Sequence, residues 1–85
     1  MDGDLLRRGP RRVVGVKQTL KRVNEGRAEV VYLARDADAA VVRSLVTAAE
    51  LRGVQVTYVD TMAELGRLCG IQVGAAAAAV VRDGQ

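Results

Sequence analysis

Five consecutive apolar residues, Val30-Val31-Tyr32-Leu33-Ala34, constrain this chain more than any other segment. A run of that length, rich in β-branched side chains, has the pattern of a strand. Because no polar residue interrupts it, it calls for cover on both faces. With 85 residues there is room for one core only, so the covering elements must come from the immediate neighbours in sequence.

Those neighbours read as helices. Asp38 is a good N-cap for a helix over Ala39 to Arg52, whose Val41, Leu45, Ala48 and Val42, Val46, Ala49 form a broad apolar side, with Gly53 as its stop. Val54, Val56 and Tyr58 alternate with Gln55 and Thr57, the signal of a half-buried strand. Thr61 to Glu64 fits a capping box, which predicts a helix over Met62 to Cys69 ended by Gly70.

Upstream, a helical turn at Asp4 to Arg8 is broken by Gly9-Pro10, and Val13-Val14 is a short strand entering a helix that opens at Gly15 and closes at Gly26. Ala75 to Val81 is the final strand candidate, although five alanines in a row favour a helix on local propensity. Strands alternating with helices predict an α/β fold: a three-layer α-β-α sandwich around a small mixed central sheet of about four strands. The domain spans 13–82, after a flexible basic segment at 1–12 and before a short tail at 83–85.

The Gly15 helix carries most of the functional information. At about 100° per residue, Val16, Leu20 and Val23 share one side while Lys17, Gln18, Lys21 and Arg22 spread over the other. Its first turn presents backbone N–H groups and the positive end of the helix dipole, which suits a phosphate or an electron-rich base edge. Charge is distributed accordingly. Residues 1–35 hold nine Lys/Arg against four Asp/Glu, net +5, whereas 36–85 hold four against six, net −2. A one-sided basic patch attracts polyanions, and the expected partner is a nucleic acid.

Other classes are excluded by what is missing. There is no Phe or Trp, and the two tyrosines, Tyr32 and Tyr58, both sit in apolar runs and are expected in the core, which argues against base-stacking platforms. No histidine is present and Ser44 is the only serine, so nucleophile–base catalysis has no players and the chain reads as a non-enzyme. Asp36 and Asp38 resemble a loop cap more than a metal or acid–base pair. No cofactor, metal or small-molecule substrate is expected. One cysteine, Cys69, excludes an internal disulfide, and no apolar run approaches the roughly 18 residues of a membrane span, which together predict a cytoplasmic protein. In Gly70-Ile71-Gln72-Val73-Gly74, Ile71 and Val73 either tuck into the core or form an apolar lip beside the basic helix.

Taken together, GVKQTLKRVNEG, VVYLARDADA and LGRLCGIQVGAAAAAV resemble the ribosomal protein 7Ae/30e family over residues 13–82, and most closely its small bacterial, ribosome-associated branch. The resemblance implies binding to kink-turn RNA, a bulged duplex bent at tandem sheared G·A pairs. It implies that Gly15 and Val16 let the backbone approach the RNA, and that Lys17, Gln18 and Lys21 face guanine edges and phosphates, with Arg22 and Arg35 adding charge. By the same resemblance Asp38 stands near a bulged base, and Ile71, Gln72 and Val73 face an extruded nucleotide. Many relatives carry Asn-Glu where this chain has Lys17-Gln18, which shifts the expected binding toward general electrostatics. Ribosomal RNA and the ribosome are the implied partners. The alternative is a protein-interaction module of a ribonucleoprotein with only general affinity for RNA.

Overall fold

The structure, a computed structural model, describes residues 11–82. The helical turn expected at Asp4 to Arg8 and the tail at 83–85 lie outside the described residues. Four strands, β1 (Arg12–Val14), β2 (Ala28–Ala34), β3 (Gln55–Val59) and β4 (Ala77–Val81), form one sheet in the order β1-β4-β2-β3. Three helices connect them: α1 (Val16–Asn24), α2 (Ala39–Arg52) and α3 (Met62–Leu68). β4 runs antiparallel to both β1 and β2, and β2 pairs in parallel with β3. The sheet is therefore mixed.

Alternation along β2 divides the core in two. Val30, Tyr32 and Ala34 face α3, where Leu65 and Cys69 complete one apolar cluster. Val31 and Leu33 face the opposite way, toward Val23 of α1 and Leu45 of α2. Helices thus cover both faces, α1 and α2 on one and α3 on the other, which is the three-layer sandwich. Burial pushes the Cys69 thiol above its ordinary range, opposed by the nearby Arg12 guanidinium.

The alanine run is a strand because tertiary context overrides helix propensity here. β4 lies between two partner strands and all five of its residues are buried. Its short side chains, Ala77 and Ala79 on one face and Ala78 on the other, let both helical layers approach the sheet closely. The strand starts at Ala77 rather than Ala75, and β2 starts two residues earlier than its apolar run, with a register irregularity between Ala28 and Val30.

Helix ends follow the caps. The Asp38 carboxylate accepts hydrogen bonds from Ala40 N (2.8 Å) and Val41 N (3.4 Å), and Gly53 closes α2 in the left-handed conformation at φ 67°. Thr61 Oγ1 accepts from Glu64 N at 3.0 Å to start α3. One expectation is corrected: Tyr32 is fully buried, but Tyr58 is 42% exposed. β3 is an edge strand, and near its end no helix closes over the ring; the Arg35 guanidinium lies over it instead, 5.0 Å from the centroid.

Thr19, in the second turn of α1, is fully buried and its Oγ1 has no hydrogen-bond partner among the described residues. An unpaired buried hydroxyl is destabilising, and valine reproduces the β-branched shape without it. Thr19→Val should raise stability by about 1 kcal/mol, seen as a higher denaturant midpoint with an unchanged slope.

Candidate nucleic-acid interface

Strand direction assembles the site. β1, β2 and β3 all run the same way and β4 runs against them, so three strand C-termini and one strand N-terminus emerge at one end of the sheet. Four segments meet there: Gly15 with the start of α1, the Arg35–Asp38 loop, the Asp60–Thr61 link, and the 70–76 loop. Backbone hydrogen bonds stitch them together. Gly15 N donates to Ala77 O (2.8 Å), Ala34 N to Ala76 O (3.0 Å), Arg35 N to Val59 O (2.8 Å) and Ala75 N to Met62 O (3.0 Å). Met62 N also donates to the Asp36 carboxylate at 2.8 Å.

Gly15 is the pivot. Its φ of 105° and ψ of 156° fall in a region that is essentially glycine-only, and nothing lies within 4 Å of where a Cβ would stand. Glycine is required here by conformation, and the space beside it is open. No side chain caps α1 and no acidic residue occupies its first turn, so the electropositive end of a nine-residue helix faces outward uncompensated. Lys17, Gln18 and Lys21 are exposed, while Val16 is half-buried against the core on the other side.

In the loop that leads into β4 at this end, Ile71 is 37% and Val73 70% exposed, and Gln72 is exposed between them. These exposures are not those of side chains tucked into the core. The loop packs closely on α3. Gly66 of α3 approaches it so closely that a Cβ on Gly66 would collide with the Val73 carbonyl oxygen and stand 3.2 Å from Gly74 Cα. On the other side, Arg12 Nη2 donates to Cys69 O at 2.9 Å, tying β1 to the end of α3.

The remaining expected site residues are distributed less uniformly. Arg35 is at the same end, with Nε 3.6 Å from the Asp60 carboxylate and its guanidinium over Tyr58. Asp38 is there too, exposed, but one carboxylate oxygen serves the α2 cap. Arg22 stands apart, more than one turn along α1, with Nη1 3.2 Å from Glu25 Oε1. Tyr58 was missed as an exposed residue of this end; the sequence signal for it is its place near the end of a strand, just before the polar Asp60-Thr61 link. No group of three or more His, Cys, Asp or Glu among the described residues could hold a metal ion.

A three-layer sandwich with a basic helix tip and an apolar loop at one sheet end defines a class of small non-catalytic binding domain. The sequence matches the ribosomal protein L7Ae/L30e/S12e/Gadd45 family over residues 4–85, and the chain belongs to that family. It is 54% identical over 72 residues to "RNA-binding protein TTE2299" of Caldanaerobacter subterraneus, covering 85% of this chain and 88% of that one. It is 39% identical to the large ribosomal subunit protein eL8 of Halobacterium salinarum, covering 82% of this chain and 59% of that one. Among solved structures, the Giardia lamblia 15.5kD RNA binding protein superposes with a TM-score of 0.88 at 31% identity, over 96% of this chain and 72% of that one. No helix among the described residues is long and apolar enough to cross a membrane.

The packing of Gly66 on the 71–74 loop yields a test of how the lip is positioned. Gly66→Ala should lower stability by about 1–3 kcal/mol, as overpacking does, and displace the loop. Backbone amide shifts concentrated at residues 70–76 in an NMR spectrum are the expected signature; shifts confined to α3 would mean that the loop is positioned by something else.

Proposed function

We propose that this chain is an RNA-binding protein that recognises and stabilises kink-turn RNA, with ribosomal RNA as its partner class. Membership of the L7Ae family and relatives named as RNA-binding proteins support the RNA partner. The observation that carries the finer reading is the uncapped cationic start of α1 at the same sheet end where the loop bearing exposed Ile71 and Val73 runs into β4. A regular A-form major groove is too deep and narrow for a helix end to read. A bulge flanked by non-Watson–Crick pairs opens it and expels a base, so such an RNA offers both an accessible purine edge and an unstacked nucleotide.

Each part of the site then has a task. The α1 N-terminus and Lys17 donate to guanine O6 and N7 or to a phosphate, and the Gln18 amide both donates and accepts. Gly15 and Val16 keep the backbone slim where the RNA comes nearest. Lys21, one turn further on, adds a phosphate contact, and Ile71 and Val73 shield the expelled base from water with Gln72 at the rim. Arg35 sits at the margin, where its guanidinium can reach phosphate. Asp38 contributes chiefly by fixing the start of α2.

The mechanism is a population shift. The RNA interconverts between an open bulged duplex and a tightly bent form, and a protein that binds the bent form better draws the equilibrium toward it. No cofactor and no chemical step enter.

The triple variant Lys17→Ala, Gln18→Ala, Lys21→Ala should bind a synthetic kink-turn duplex more weakly by several kcal/mol at most, given about 1–3 kcal/mol for a good bidentate base contact. Replacing the tandem G·A pairs by Watson–Crick pairs should weaken binding by the wild-type protein far more than changing the outer stems. A gel-shift titration in which both RNAs bind alike would reduce the protein to a general polyanion binder.

A further inference from the structure

Away from the helix tip, at the opposite end of β1 and β4, the surface opens into a cleft of about 320 Å³ lined by Arg11, Arg12, Val13, Arg22, Arg27 and Val81. Backbone hydrogen bonds fix its walls. Val81 N donates to Arg11 O (3.2 Å), Arg82 N to Arg27 O (2.8 Å) and Arg27 N to Arg22 O (2.9 Å). Two of these bonds tie the turn after α1 to its own helix and to the end of β4, and the third pins β1 beside it. Arg11 from just before β1, Arg22 from α1 and Arg27 from the turn after it are thereby brought to one opening.

Charge around Arg22 and Arg27 is poorly balanced. The two share one carboxylate, that of Glu25, 3.2 Å from Arg22 Nη1 and 3.9 Å from Arg27 Nη1. The Arg27 Nε is shielded from solvent without a hydrogen-bond partner among the described residues. Arg12 directs its Nη2 to Cys69 O on the α3 side of the sheet, so its guanidinium turns away from the arginines of α1 and the turn after it. With Glu25 the carboxylate that Arg22 and Arg27 share among the described residues, this pair keeps a net positive charge that an anion would offset. A tetrahedral oxyanion with several acceptor oxygens suits the planar donors of arginine.

We propose that this cleft grips a backbone phosphate of the bound RNA, at a second contact distinct from the α1 tip, with Arg22 and Arg27 as the principal donors and Glu25 as a built-in attenuator. The inference rests on RNA being the partner, as above, but not on G·A recognition. α1 connects the two places: Lys17, Lys21 and Arg22 step along its exposed side over about 8 Å of helix rise. A stem leaving the tip along α1 meets the cleft next. Because phosphates are the same in every sequence, this contact adds affinity and orientation without sequence preference.

The test uses the full chain and a kink-turn duplex in two forms, with its tandem G·A pairs and with Watson–Crick replacements, titrated over a range of salt. The Arg22→Gln, Arg27→Gln double variant should bind both RNAs more weakly by the same factor, leaving the ratio between them intact. The slope of log K against log salt should shrink by about one for each phosphate that the variant no longer neutralises. Glu25→Gln should do the reverse, tightening both RNAs and steepening the slope, and it keeps the test alive if the double variant does not fold. Unchanged affinity and slope in a folded double variant, or no gain with Glu25→Gln, would overturn the proposal. Equal binding of the two RNAs by the wild-type protein would reject kink-turn recognition instead, and the salt slopes would still decide the cleft.

Discussion

β4 enters the sheet between β1 and β2 and opposes both in direction, and the rest of the molecule follows from that pairing. Were β4 parallel to its neighbours, the loop before it would emerge at the far end of the sheet, away from Gly15. The opposed direction brings the 70–76 loop back to the end where β1 delivers Gly15. The Gly15 N to Ala77 O bond is the place where the two meet. The strand can hold that central position because three of its five residues are alanine: larger residues there would push one helical layer away and open voids against Leu45 or Leu65.

Much of this was legible in the sequence, and where it was, a local rule and the tertiary context agreed. The apolar run at 30–34 gave the central strand, Asp38 and Thr61 gave two helix starts, and Gly53 gave a helix end, because each depends on chemistry within a few residues. Tyr58 went the other way. Alternation says which side chains share a face, but not whether a helix reaches far enough to cover them, and at the edge of the sheet α2 leaves that ring to Arg35. The approach of Gly66 to Val73 was equally invisible, since it joins a helix to a loop through backbone atoms that no side-chain pattern reports.

Arg22 illustrates the limit for the site itself. A helical wheel groups it with Lys17, Gln18 and Lys21 because it discards position along the axis. In three dimensions that axial distance separates a helix end, where dipole and uncapped N–H groups act together, from a cleft built jointly with β1 and the turn after α1. The tip was readable because Gly15 announces it. The cleft was not, because its arginines converge only through the β1–β4 pairing and the closing turn of α1.

Rigidity explains how so small a surface could discriminate between RNA shapes. Segments at the tip end are hydrogen-bonded to one another through the backbone, and the loop is packed closely on Gly66, an arrangement that would limit the protein entropy lost on binding. The ordering cost then falls on the RNA, and only an RNA that already visits the bent form meets it cheaply. A mobile loop would conform to open and bent duplexes alike and forfeit the difference in affinity that drives a population shift. Salt-sensitive contacts along α1 add to both states in proportion to the phosphates within reach, so they strengthen binding without creating that difference. On the proposed reading, selectivity belongs to the tip end of the sheet, and affinity is spread more widely over the basic side of the molecule.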